Sequence, residues 1–115
     1  MKTILLFLLS LFVLPRPLVA QLYVDTNGSD LNPGTFAQPF KTVAKAITVA
    51  AAGDTIYVRG GVHVMTATLS IGSSKSGTES LRYHLVAYRD ERPLLDFSTT
   101  ALGRKGLALN ASYWT

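Results

Sequence analysis

Few side chains in this sequence could hold a metal or move a proton: seven carboxylates, two histidines and no cysteine in 115 residues. Asp25, Asn27 and Asp30 lie close enough together to offer oxygen ligands to calcium, but they lack the regular spacing of an EF-hand loop. Turn formation by Asx side chains is the better reading. Asp90 and Glu91 are adjacent, so on a strand they point to opposite faces and do not share a metal. His63 and His84 lack the helical spacing and the nearby cysteine or carboxylate pattern that would specify zinc, and they read as ordinary surface or strand histidines. Lys75, Arg82, Arg89 and Arg92 could line a basic groove for an acidic polymer, although charges scattered on loops are more often solvated surface. Tyr57, Tyr83, Tyr88, Tyr113 and Trp114 could stack on sugar rings, but internal ladders are the commoner use of such residues. No Gly-x-Ser-x-Gly elbow is present, and Gly60-Gly61 is too isolated for a phosphate loop. Asn27-Gly28-Ser29 and Asn110-Ala111-Ser112 match the glycosylation sequon, which acts only in a eukaryotic secretory host. No residue is assigned a catalytic, cofactor-binding or metal role.

The elements that would position these residues begin after residue 20. Lys2 followed by the apolar run Ile4 to Leu14 has the charge order and length of a secretory signal peptide, and Ala20 is the small residue expected at its cleavage site. The run is too short to cross a bilayer and is broken at Pro15-Arg16-Pro17, so stable membrane insertion after cleavage is not expected. The full chain carries a formal net charge of +4, but residues 21–115 carry nine basic against seven acidic side chains. That small excess does not point to nucleic acid.

Leu22-Tyr23-Val24 reads as a strand that gives way to turns at Asn27-Gly28 and Asn32-Pro33-Gly34. Phe40, Val43, Ile47 and Ala50 then fall on one face of a helix expected over 40–51, with Gly53 placed for a left-handed cap. Short β-prone runs follow at 54–58, 66–71, 83–88, 93–97, 106–110 and 113–115, separated by loops of Gly, Ser and charged residues. Strand types recur at about 20 to 30 positions, as in a solenoid. A small antiparallel sandwich is the alternative, but the lone helix before the repeating strands suits a solenoid better.

Certain motifs, taken in order, carry a resemblance. They are Tyr23-Val24-Asp25-Thr26-Asn27-Gly28-Ser29-Asp30, Asn32-Pro33-Gly34-Thr35, Gln38-Pro39-Phe40-Lys41-Thr42, Gly53-Asp54-Thr55-Ile56-Tyr57-Val58-Arg59-Gly60-Gly61, Ser76-Gly77-Thr78, Arg92-Pro93-Leu94-Leu95-Asp96-Phe97 and Ser112-Tyr113-Trp114. Together with Tyr88 they resemble the opening of secreted right-handed parallel β-helix proteins, a group that includes family 9 pectate lyases. The resemblance implies a signal peptide at 1–20, a strand, loop and capping helix at 21–53, and the first coils of the β-helix at 54–115. It also implies that the chain is the N-terminal piece of a longer secreted enzyme acting on pectate or another polyuronate. The family uses a lysine base and aspartate-held calcium on later coils; no motif here matches them, so the fragment itself is expected to be inactive and to hold no cofactor. A non-catalytic surface β-helix that binds glycans is the competing expectation, and an independent β-sandwich binding module a third.

Overall fold

The computed structural model describes residues 19–100 and 106–115. Seven strands and one α-helix are described: β1 Gln21–Val24, α1 Val43–Val49, β2 Thr55–Val58, β3 Gly61–Val64, β4 Leu69–Ile71, β5 His84–Ala87, β6 Pro93–Asp96 and β7 Leu107–Leu109. Every paired strand runs parallel to its neighbour. The order β1-β2-β5 forms one sheet, β3-β6 a second and β4-β7 a third. The chain therefore visits three sheets in turn and repeats the circuit, which makes two stacked coils, with β1 as an extra layer on the first sheet. Parallel pairing throughout excludes the antiparallel sandwich.

Period-2 alternation explains the circuit. Ile56 and Val58 point inward beneath Leu22 and Val24, and His63, Met65, Leu69 and Ile71 continue the buried stack. Burying an aliphatic side chain of this kind stabilises by about 1.5–3 kcal/mol, so the inward set fixes the register. A one-residue slip would turn it to solvent.

The pairing corrects the expected spacing. Ile56 stacks on Leu85, 29 positions on, but Leu69 stacks on Leu107, 38 positions on, and Val62 on Leu94, 32 positions on. Leu85 and Leu107 lie in different sheets, so their separation is not a repeat. Loop length varies from coil to coil because a loop needs only to return the chain to the next register. Strand β3 lies where the sequence pattern predicts none; its Gly61 takes φ +114 in the corner between the first two sheets. Conversely, the run expected over 66–71 forms a strand only from Leu69, and that at 113–115 only the bridge from Tyr83 to Trp114.

Helix α1 is shorter than the 40–51 expected. Phe40 is held as a strand-like bridge to Val24: its N–H donates to Tyr23 O and its carbonyl accepts from Asp25. Thr42 follows as an extended N-cap whose Oγ1 accepts from the Lys45 N–H at 3.1 Å. At the other end Ala50 is already extended, with ψ 142. Gly53 does take a positive φ of +95, in the turn before β2 and not at the helix end. Seven residues do not sustain a helix alone; burial of Val43, Ala46 and Ile47 against β1 and β2 does. Among the described residues no helix is long and apolar enough to cross a membrane. The leader expected over 1–20 lies outside the described residues except for Val19 and Ala20.

Candidate functional site

The outer face of the first sheet gathers most of the aromatic and charged candidates. Tyr23 and Tyr57 are in register on β1 and β2 and alternate with inward residues, so their rings stack outward with centroids 5.3 Å apart. Tyr88 meets both edge-on at 5.8 Å, and Phe36 meets Tyr23 edge-on at 5.4 Å. Arg59 lies across this cluster, 5.1 Å from the Phe36 centroid and 4.8 Å from that of Tyr88, while Arg89 stands 5.1 Å from Tyr88. The Arg59 Nε and Nη2 donate to the two Glu91 oxygens at 2.9 and 3.0 Å, and Asp25 approaches Nη1 at 4.0 Å. The Arg59 hydrogen bonds and the Gly60 N–H hold the Glu91 carboxyl below its usual range, and Glu91 in turn raises Arg59. Guanidinium groups and neighbouring rings thus occupy the faces of Tyr88, and Tyr57 stacks on Tyr23. The arrangement clamps loops 25–36 and 88–91 to the sheet, with Phe36 left exposed at its edge.

The remaining acidic candidates are also structural. Asp25 Oδ1 accepts the Asn27 N–H in a tight turn, and Gly28 packs so closely that a Cβ would lie 2.5 Å from Phe40 O. Asp30 accepts from the Lys41 and Thr42 amides and from the Thr42 hydroxyl. Partial burial opposes its charge, but these hydrogen bonds and nearby Lys45 outweigh that and hold the Asp30 carboxyl below its usual range. Asp90 is exposed beside Glu91. Among the described residues no three His, Cys, Asp or Glu side chains come together to hold a metal.

The basic candidates are not assembled into one groove. Lys75 Nζ donates to the carbonyls of Thr48 and Ala50 at 2.9 and 2.6 Å, closing the end of α1. Its own carbonyl accepts from Trp114 Nε1, and Trp114 stacks flat on buried Tyr83 at 4.5 Å. Arg82 lies 5.2 Å over Tyr113, and Arg92 is exposed.

Sequence reasoning missed one concave feature. A half-open cavity of about 450 Å³ lies between the start of α1 and the turn joining β3 to β4; Lys41, Thr42, His63, Met65, Thr66 and Leu69 are among the residues that line it. His63 is buried, and its Nε2 sits 2.8 Å from Arg59 O. A carbonyl only accepts, so Nε2 carries the proton and Nδ1 is left without a partner. The Nδ1 atom is sealed from solvent, and none of the residues lining the cavity is a carboxylate. The alternation Val62, His63, Val64 was the signal that could have placed His63 inside; nothing local announces that residues 41–44 face residues 62–69. His84 lies apart on β5, and Asn27 and Asn110 are both exposed.

With this geometry in place, the comparisons with known proteins are specific. A family model described as the Pel9A-like right-handed beta helix region matches residues 22–115. Pectate lyase L of Paenibacillus polymyxa is 43% identical over 95 residues, which are 81% of this chain and 21% of that protein. Pectate lyase PEL9 of Emericella nidulans is 42% identical over 82 residues, 71% of this chain and 20% of that protein. Among solved structures, a rhamnogalacturonan lyase superimposes with a TM-score of 0.67 at 26% identity, over 82% of this chain and 26% of its own. The chain thus spans about a fifth of the length of the curated relatives it matches.

Proposed function

The chain belongs to the Pel9A-like right-handed β-helix family, and from that premise we propose that the whole protein is an exported polysaccharide lyase acting on a polyuronate by β-elimination. The observation that carries this reading is the 43% identity to a pectate lyase across nearly all of residues 21–115. Export is supported by the layout of Lys2, the apolar run to Leu14 and Ala20. In this reading the two coils are the N-terminal part of a longer stack, and α1, packed on β1 and β2, covers its first coil.

Elimination removes the proton α to a uronate carboxyl group and expels the linked sugar. A basic side chain must take that proton while a cation offsets the carboxylate charge. Calcium suits the second task, but no cluster among the described residues fits it. In this reading the base and metal ligands lie on later coils, as the family resemblance implies, and no step is routed through Lys75, Arg59 or His63. The test is to incubate the full-length protein with polygalacturonate and calcium and follow absorbance of the unsaturated product. Calcium-dependent product formation is expected; inactivity on this and other polyuronates would remove the lyase reading.

A further inference from the structure

Among the described residues Asp54 is a buried carboxylate with no cation paired to it. It is 5% exposed; Oδ1 accepts from the Ala20 N–H at 2.7 Å and Oδ2 from the Ala51 N–H at 2.8 Å. Among the described residues the ion pairs involve only Arg59 with Asp25 and Glu91. A carboxylate removed from water is costly unless an opposite charge or full hydrogen bonding matches it, and two amide dipoles match it only in part. The donor nearest to Asp54 belongs to Ala20, the residue at which the leader is expected to end.

We propose that Asp54 is the receptor for the N-terminal ammonium created when the leader is removed at a bond flanking Ala20. The proposal rests on the export part of the function above. Hydrolysis adds water across the peptide bond; the new carboxylate departs with the leader, and the new amine takes a proton at neutral pH. If the Val19–Ala20 bond is cut, the charged nitrogen is the atom already 2.7 Å from Oδ1. If the Ala20–Gln21 bond is cut, as a small residue before the cut favours, the Ala20 donor is lost. The Gln21 ammonium then stands one residue further along the chain, and no contact in this structure holds its nitrogen at Asp54. The cut before Ala20 completes an ion pair that ties the start of β1 to the turn between α1 and β2, and the cut after it does so only if the Gln21 nitrogen moves to Asp54.

The pairing has a pH signature. An α-ammonium held by a carboxylate has its pKa raised above the free value of about 7.7–8.0. Its stabilisation is fully present below that value and is lost as pH rises through the raised one. The charged groups tied to the segments around the site are Lys75, on the carbonyls of Thr48 and Ala50, and His84, whose N–H donates to the Asp54 carbonyl.

The experiment takes the exported full-length protein, reads its N-terminus by intact mass, and follows Tm across about pH 6 to 10 with the amine free and acetylated. A terminus at Ala20 or Gln21 is expected, with acetylation, or cyclisation of a terminal Gln21, lowering Tm by several degrees at neutral pH and not at alkaline pH. Asp54→Asn should abolish that difference; if this variant does not fold, the free and blocked forms of the unsubstituted protein carry the comparison. His84→Asn and Lys75→Met should leave the alkaline step in place, and its disappearance in either would overturn the assignment. Equal stability of free and blocked amines would overturn the pairing while leaving export intact. A retained Met1 would overturn both.

Discussion

The two coils have the same register and the same kinds of inward residue, yet they are buried to different degrees. In the first coil Ile56 and Leu69 are 1% and 4% exposed; in the second, their partners Leu85 and Leu107 are half-buried and 53% exposed. The chemistry of the side chains does not explain this. In the first coil β2 lies between β1 and β5, and α1 packs against β1 and β2, whereas among the described residues the second coil is paired on one side only. In a solenoid, stability therefore belongs to interfaces between coils more than to the coils themselves.

Substitutions can break this comparison, and the largest effect is expected at the junction of helix and first coil. Ile47→Asp places an unpaired charge against β1 and β2 and should abolish secretion of folded protein; normal secretion and thermal stability would mean that α1 does not cover the stack. Next, Ile56→Ala should cost about 2–5 kcal/mol by denaturant unfolding. The matching change Leu107→Ala should cost well under that if the second coil has one neighbour, and as much if the full-length protein adds a third layer. Equal costs in the full-length protein, and unequal ones in the 115-residue chain, would sharpen the account.

A smaller effect is expected at the clamp that binds loops across both coils. Arg59→Ala should lower Tm by less than Ile56→Ala does, and salt should shrink the difference because the Arg59–Glu91 pair is partly exposed. Glu91 has a depressed folded pKa, so its contribution is present above the free carboxyl value of about 4.3 and is lost as pH falls through the lower folded value. Glu91→Gln should accordingly flatten the acid side of the stability profile; an unchanged profile would show that the pair is not coupled to folding. The smallest effect is expected at Asp30→Asn, which keeps an acceptor for the Thr42 hydroxyl but removes the charge near Lys45, and should slightly destabilise the start of α1.

The residues explain why the fold was more legible than the site. Alternation in Thr55-Ile56-Tyr57-Val58, the Asn-Gly turn and the apolar face of Val43 and Ile47 are local signals, and they placed β2, the loop and the helix. The repeat length was misjudged because coil partners are set by stacking, and the 72–82 loop can grow without moving the strands it joins. Glu91 on Arg59 and Lys75 on the helix carbonyls join segments 25 or more residues apart, and the cavity beside His63 joins residues 41–44 to 62–69. No spacing rule announces such contacts. Nothing local marks Asp54 as buried; its partner Ala20 lies 34 positions away, inside the stretch set aside as leader.

The central claim is that the chain forms stacked parallel coils with β2 enclosed between β1 and β5. Hydrogen–deuterium exchange of the full-length protein tests it most directly. The amides of Thr55–Val58 should be among the slowest to exchange, by orders of magnitude relative to loop 72–82. Exchange of those four amides as fast as the loop would contradict the stack.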